Sequence, residues 1–408
     1  MVHILHYIGA AFVILVLAQL ALVIIGTLRR QFQLGAVRRN ELKLFDERIA
    51  VAQARRQRVE TNVAPWVGNR KFEVDRVVHE CAGVKSFYLK AHDHKPLATF
   101  APGQFLTFSL DVPGQNKKVV RCYSLSERPR EDYYRVTIKH VTDGVGSGFF
   151  HESVNEGAIL DVKAPAGGFT LDLESEQPVV LIAGGVGITP VLCMLNEMIE
   201  SQPNRKVWLF YGVRNGKEHI MKDHLAQVAR DHSQVEIITF YSQPTADDVA
   251  GKDFDIGHRI SLTDLREQLP SNNFSFYLCA GGEMMKNMVD ALLTWGVPEK
   301  HIHKEAFGPA SVPKSGNTEI QKAMRVIFAK SGKTLPWTPE SGALLEMAEA
   351  ARIETIDSSG CHAGSCGTCK TAIKSGEVEY LQEPSSAVEE GSCLTCICIP
   401  KSDVTLDA

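Results

Sequence analysis

The sequence predicts a multidomain chain: an apolar transmembrane helix, an antiparallel β-barrel, an α/β domain on a parallel sheet, and a small α+β domain last. Three observations predict it. Residues 4–28 are almost unbroken Ile, Leu, Val, Ala and Phe. Period-two alternation over residues 72–139 gives way, beyond Gln177, to strand and helix patterns in turn. Six of the ten cysteines lie at or beyond Cys361, three of them spaced C-x4-C-x2-C.

At 408 residues the chain has room for two or three globular domains. A formal net charge of −4 carries no nucleic-acid footprint. The other cysteines, Cys81, Cys122, Cys193 and Cys279, show no pairing pattern. Scattered thiols point to a reducing compartment, so the folded part is expected in the cytoplasm.

Residues 1–28 read as an anchor. As helix, residues 4–28 span roughly 38 Å against about 30 Å of hydrocarbon. The first positive charges, Arg29 and Arg30, follow the apolar run, whereas a cleaved signal peptide begins with them. Nine basic and three acidic residues between Arg29 and Arg58 place all that follows on the cytoplasmic side. The expectation is a single-pass protein of the cell (inner) membrane, with the bilayer as one partner. His3 and His6 lie one helical turn apart; a haem or quinone role is open, but an interfacial position is the commoner use of such residues. Residues 29–66 form a helical stalk, with Val37, Phe45, Ile49, Ala52 and Val59 on one face, lying on anionic lipid or self-associating.

Residues 67–172 make the barrel, with strands expected over 72–77, 86–90, 104–109 and 135–139. Residues 173–310 make the α/β domain, with buried strands over 179–183, 206–211, 235–241 and 274–279. Residues 311–318 are a linker. In the last domain, 319–408, a hairpin over 326–337 and a helix over 342–351 precede the cysteines.

Cys361, Cys366 and Cys369 with a distant fourth cysteine have the spacing of a plant-type 2Fe-2S cluster, in which each iron needs two thiolates. Ala363, Gly364, Ser365 and Gly367 let the loop curl and aim its N–H groups at sulfur. Zinc would want two C-x2-C pairs, and a disulfide framework an oxidising compartment; the spacing favours the cluster over both. Cys393 and Cys398 flank Cys396. Cys396 is taken as the fourth ligand because Leu394-Thr395-Cys396, ahead of a strand-like 397–399, resembles the C-terminal half of plant-type ferredoxins. That resemblance implies a β-grasp domain. His362 stands where the family usually has Arg and removes no ligand.

Three stretches in the middle carry further chemistry. In Arg121-Cys122-Tyr123-Ser124, an Arg can clamp phosphate, a Tyr can cover a flavin ring and a Ser can bond flavin N5. Alone this motif is weak. Gly144-Val145-Gly146-Ser147-Gly148 places small residues at a helix start, suited to phosphate or to an ordinary tight turn. Gly184-Gly185-Val186-Gly187-Ile188-Thr189 follows a strand and opens a helix, so its backbone can approach a pyrophosphate. A glycine-rich turn of any α/β protein is the alternative.

In this order the motifs resemble the ferredoxin-NADP reductase superfamily, and residues 67–310 look most like the reductase part of flavohaemoglobins. Phe210-Tyr211-Gly212-Val213-Arg214, Gly257-His258-Arg259, Tyr277-Leu278-Cys279 and Glu305-Ala306-Phe307-Gly308-Pro309 support this. The resemblance implies that Arg121, Tyr123 and Ser124 hold the flavin, with Gly146, Ser147 and Phe307 completing its site. It implies that Gly185, Gly187, Thr189 and Arg214 hold the nicotinamide dinucleotide. Cys279 is expected beside the nicotinamide and Glu305 near the flavin edge, so Ser124, Cys279 and Glu305 form the catalytic group. For Cys279 a purely structural role stays open, and Cys279-Ala280-Gly281 departs from the family's Cys-Gly-Pro.

NAD(P)H gives two electrons as hydride whereas a 2Fe-2S cluster takes one, so a flavin between them must store the second. The flavohaemoglobin likeness implies FAD; phthalate-type reductases use FMN. Tyr241-Ser242-Gln243-Pro244-Thr245-Ala246-Asp247-Asp248 lacks the basic residues that NADP-preferring relatives place for the 2′-phosphate, so NADH is expected over NADPH. The flavin subunit of sodium-pumping quinone reductases places its ferredoxin first. Here it is last, as in phthalate dioxygenase reductase and hybrid-cluster-protein reductase, which favours an oxygenase, desaturase or similar electron-accepting protein as partner. The alternatives are a component of a respiratory NADH:quinone reductase, and a non-catalytic tethered carrier or sensor.

Overall fold

The computed structural model describes residues 65–305, 323–353, 360–364, 366–382 and 388–408, with Gln19, Leu20, Phe307 and Pro384. The chain divides into units at 1–61 and 62–408, and the strands and helices named below belong to the second. The expected anchor and stalk fall almost wholly outside the described residues. Among the described residues no helix is long and apolar enough to cross a membrane. Trp66, which the sequence puts at the end of the stalk, belongs to the barrel: its indole donates to the Val162 carbonyl at 3.1 Å and packs on Phe72.

Strands β1 (Asn69–Cys81), β2 (Val84–Ala91), β3 (Phe105–Leu110), β4 (Val119–Ser124), β5 (Tyr134–Lys139) and β6 (Ile159–Ala166) form an antiparallel sheet. Its order is β4-β3-β6-β1-β2-β5. The two edges meet where Leu125 bridges Val136 and the Ser126 N–H donates to the Arg135 carbonyl, which closes the barrel and removes its free edges. Four of these strands lie where alternation places them. The other two do not announce themselves: β4 reads as a binding motif, and β6 carries Asp161, Lys163 and Pro165 among its apolar residues.

Helix α1 (Val145–Glu152) is pinned to the barrel by Phe150, which is fully buried. Its ring meets Phe87, Phe108 and Tyr123 edge-on at 5.0, 5.3 and 5.2 Å. Burying one Phe stabilises by about 1.5–3 kcal/mol. It also fixes where the helix start points, which is toward β4.

Strands β7 (Val179–Gly184), β8 (Val207–Val213), β9 (Val235–Tyr241), β10 (Ser275–Cys279) and β11 (Ile302–Glu305) form a parallel sheet of order β11-β10-β7-β8-β9. Successive residues alternate between two cores. Val179, Leu181, Leu209 and Tyr211 face helices α2 (Ile188–Ser201) and α3 (Lys222–Asp231). Val180, Ile182, Trp208 and Phe210 face α4 (Leu262–Gln268) and α5 (Gly282–Thr294). The chain leaves β7 toward β8 and leaves β10 toward β11, so a crevice opens between the C-terminal ends of β7 and β10. The four-residue β11 reads Ile-His-Lys-Glu, too short and polar to register as a buried strand in sequence.

The last domain holds β12 (Met324–Phe328), β13 (Lys333–Trp337), α6 (Leu344–Ala350), β14 (Lys370–Ser375), β15 (Val378–Tyr380), β16 (Ser392–Leu394), β17 (Cys398–Pro400) and β18 (Val404–Leu406). Its sheet runs β13-β12-β18-β14-β16, with β15 paired to β17. The β12–β18 pair is parallel and its neighbours antiparallel, and α6 lays Leu344, Leu345 and Ala348 on the core with Phe328, Trp337 and Leu406. This is the expected hairpin and helix. One detail differs: residues 395–397 are a 3-10 turn and the strand starts at Cys398, so the chain bends where Cys396 must turn toward the other cysteines.

Candidate functional site

Strand β4 sets Arg121 opposite Phe108, Tyr123 opposite Leu106 and Ser124 opposite Phe105. The start of α1 presses on this strand. A Cβ at Gly146 would lie 2.6 Å from Arg121 Cγ and 3.2 Å from the Tyr123 hydroxyl, so any side chain there would displace Arg121. Ser147 uses its hydroxyl locally, accepting from the Val141 N–H at 3.1 Å and donating to the Gly144 carbonyl at 3.2 Å. It shapes the turn, and what it offers a ligand is a backbone N–H without an intrahelical acceptor. No acidic residue sits in the first turn of α1, so the helix start suits an anion. Burial holds the Tyr123 phenol well above its usual range, hence neutral.

The glycine turn after β7 lies against the end of β10. A Cβ on Gly187 would come 2.0 Å from the Cys279 carbonyl oxygen, and one on Gly184 2.9 Å from Ala280 Cβ. Gly185, at φ +55°, faces open space. Thr189 donates to the Val186 carbonyl at 3.0 Å and Tyr211 to the Gly185 carbonyl at 3.2 Å, holding the turn open toward the crevice. Arg214 is exposed at the end of β8, 3.5 Å from Glu218, with the Gln243 N–H donating to its carbonyl. Asp248 is occupied: its carboxylate accepts from the Gly216 and Thr245 N–H groups and the Thr245 hydroxyl. Asp247 stays exposed.

Ser124, Cys279 and Glu305 come together from β4, β10 and β11. Cys279 and Glu305 are partners in the β10–β11 ladder. Ser124 lies beside the Glu305 carboxyl and favours its charged form, yet burial outweighs it and pushes the carboxyl up to about 8, and its Oε2 has no hydrogen-bond partner within the protein. A buried acceptor without a partner is what a missing ligand leaves. Burial, with Glu305 beside it, keeps Cys279 a neutral thiol. Phe307, two residues on, is exposed.

The cysteine loop fits a cluster. Cys369 and Cys396 hold their sulfurs 3.1 Å apart, and Cys361 lies in contact with Cys366 and Cys396. The Ala363 and Cys366 N–H groups donate to Cys361 Sγ at 3.4 and 3.3 Å. Gly364 and Gly367 both have positive φ, and a Cβ on Gly364 would strike Ile397 at 2.4 Å, so the loop closes tightly over the turn bearing Cys396. No single point among the described residues gathers three or more His, Cys, Asp or Glu side chains as a mononuclear metal site would. A 2Fe-2S cluster, shared between two irons, needs no such point. Cys393 and Cys398 are buried in the domain core.

Residues 71–171 match the oxidoreductase FAD-binding domain family, 181–290 the oxidoreductase NAD-binding domain family and 328–401 the 2Fe-2S iron-sulfur cluster binding domain family. The FAD/NAD-binding domain of a nitric oxide dioxygenase from Vibrio cholerae is 32% identical, with a TM-score of 0.54, over 59% of this chain and 100% of that one. The chain belongs to the NAD(P)H-dependent flavoprotein oxidoreductases. A flavohemoprotein of Bacillus cereus is 39% identical over 251 residues, 60% of the reductase and 62% of that relative. The reductase thus spans under two thirds of the curated relatives it matches. Phthalate dioxygenase reductase is 25% identical with a TM-score of 0.55, over 84% of this chain and 98% of that one. FAD, a nicotinamide dinucleotide and a 2Fe-2S cluster are the cofactors these domains take.

One residue of the reductase's site escapes the sequence. Cys122, between Arg121 and Tyr123, points away from both and toward the cysteine loop, where Cys366 is a neighbour. Gly360 lies against it, a Cβ there falling 2.8 Å from Cys122 Sγ and 3.3 Å from Val120 Cγ1. Strand alternation was the available signal: if Arg121 and Tyr123 face one way, Cys122 must face the other.

Proposed function

We propose that this chain is a membrane-anchored, NADH-dependent reductase that passes electrons through FAD and a 2Fe-2S cluster to a protein partner, an oxygenase, desaturase or similar redox protein. The observation that carries it is the seating of the cysteine loop directly on β4, the strand of the flavin motif. Phthalate dioxygenase reductase, described as modular for electron transfer from pyridine nucleotides to [2Fe-2S], supports the same series here.

A bound flavin would supply the conversion of a two-electron hydride donor into single electrons for a 2Fe-2S cluster. The chain's residues do the rest. Arg121 and the start of α1, through Gly146 and Ser147, would bind the flavin's phosphates, and Tyr123 and Phe307 would cover its rings. Gly185, Gly187 and Thr189 admit the pyrophosphate of the dinucleotide and Arg214 its adenosine end. Neutral Glu305 holds a proton beside Ser124, and Cys279, buried at the end of β10, would wall the place of the nicotinamide. Cys361, Cys366, Cys369 and Cys396 hold the irons. The preference for NADH rests on the absence of Lys and Arg from residues 241–248. Membrane attachment and a cytoplasmic location rest on the apolar run 4–28 and the arginines behind it.

Cys366→Ala tests the series. It removes one thiolate of four, so iron and sulfide content fall, while the flavin and nicotinamide sites keep their own cores. NADH-driven ferricyanide reduction should persist and cytochrome c reduction collapse. Loss of both with flavin still bound overturns the serial order.

A further inference from the structure

Cys122 bears on the cluster from outside its own domain. It sits on β4 of the flavin barrel, opposite Thr107 on β3, whose hydroxyl lies 3.3 Å from its sulfur. Beyond it lies the cysteine loop: Gly360, with no side chain to intervene, packs on Cys122 Sγ, and the sulfur of Cys366 is near enough to act on the Cys122 thiol. Cys366 has a second neighbour, the Thr368 hydroxyl at 3.0 Å. That hydroxyl already accepts from the Gly360 N–H at 3.1 Å, leaving its own hydrogen for the sulfur.

We propose that Cys122 is a positioning residue for the cluster, donating its thiol hydrogen to the sulfur of Cys366 and thereby raising the cluster's reduction potential from within the flavin domain. Hydrogen bonds to cluster sulfurs favour the reduced, more negatively charged state. No proton moves; the hydrogen stays on Cys122. The strand that carries the flavin motif then also sets how readily the cluster accepts an electron from that flavin. The inference rests on the cluster assignment of the previous section. Iron and acid-labile sulfide in the unaltered protein test that assignment separately, so the two can fail apart.

The test compares Cys122→Ala, which removes the donor, with Cys122→Ser, which keeps one, in the full chain. Midpoint potentials of cluster and flavin are read by spectroscopic titration, and the g-values of the reduced cluster by electron paramagnetic resonance. In Cys122→Ala the cluster's reduction equilibrium should shift several-fold toward oxidised, up to a tenfold change that corresponds to about 59 mV. Its g-values should move and the flavin midpoint should not. Cys122→Ser should lie close to the unaltered protein. Loss of the cluster from the Ala variant alone also supports the proposal, since only the donor separates the two. Equal cluster midpoints in both variants, loss of the cluster from both, or a flavin midpoint that moves with the cluster's overturns it.

Discussion

At the scale of single residues, Glu305 departs furthest from the behaviour its type suggests. Its carboxyl is pushed from the ordinary 4.5 up to about 8 by burial. Between those values the folded chain holds a proton that the unfolded chain releases. Its contribution to stability is therefore full below about 4.5 and is lost as pH rises toward 8. Glu305→Gln, uncharged throughout, should flatten the fall in the denaturant midpoint over that window. It should also slow flavin reduction by NADH by on the order of 10²-fold, the usual weight of a placed proton donor, with flavin content unchanged. A reduction rate equal to that of the unaltered protein in rapid mixing would remove Glu305 from the chemistry.

At the scale of elements, two turns do the positioning: the glycine turn of β7 and the start of α1. Gly187 is pressed against the Cys279 carbonyl, so Gly187→Ala forces the two strand ends apart. Overpacking of that kind costs about 1–3 kcal/mol. The expected outcome is a lower melting temperature and a raised KM for NADH, with FAD retained because the barrel has its own core. An unaltered KM would mean that the turn does not meet the dinucleotide. For the 241–248 loop the sequence reasoning counted two acids against a 2′-phosphate, but Asp248 is consumed in tying Thr245 and Gly216 together. Discrimination then falls to Asp247 and to the lack of a cation. Asp247→Arg should narrow the ratio of NADH to NADPH kcat/KM, and an unchanged ratio would place the selecting group elsewhere.

At the scale of the whole molecule, three modules are described, and the proposed anchor and stalk would precede them in the chain. A reporter fused after Ala408 should read cytoplasmic. Removal of residues 1–62, ahead of the Trp66 contact with the barrel, should release the protein from membranes with its NADH–ferricyanide activity intact. Reduction of a short-chain quinone that vanished on this removal would favour the respiratory alternative over a protein partner.

How much of this was legible in residue order follows from the range of the forces involved. Local patterns determined the modules: period-two alternation marked four barrel strands, strand and helix in turn marked four strands of the parallel sheet, and the cysteine spacing marked three of the four expected cluster ligands, with Cys396 added by resemblance, because pleat, helix and ligand loop are each set within about a dozen residues. Strands β4, β6 and β11 were not legible as strands, since each is held by partners far along the chain more than by its own propensity. The grouping of Ser124, Cys279 and Glu305 was anticipated only through resemblance; no spacing relates residues so far apart. The contact of Cys122 with the cysteine loop at Gly360 belonged to the tertiary structure alone, because which strand face meets which loop is decided by how two separately folded domains pack.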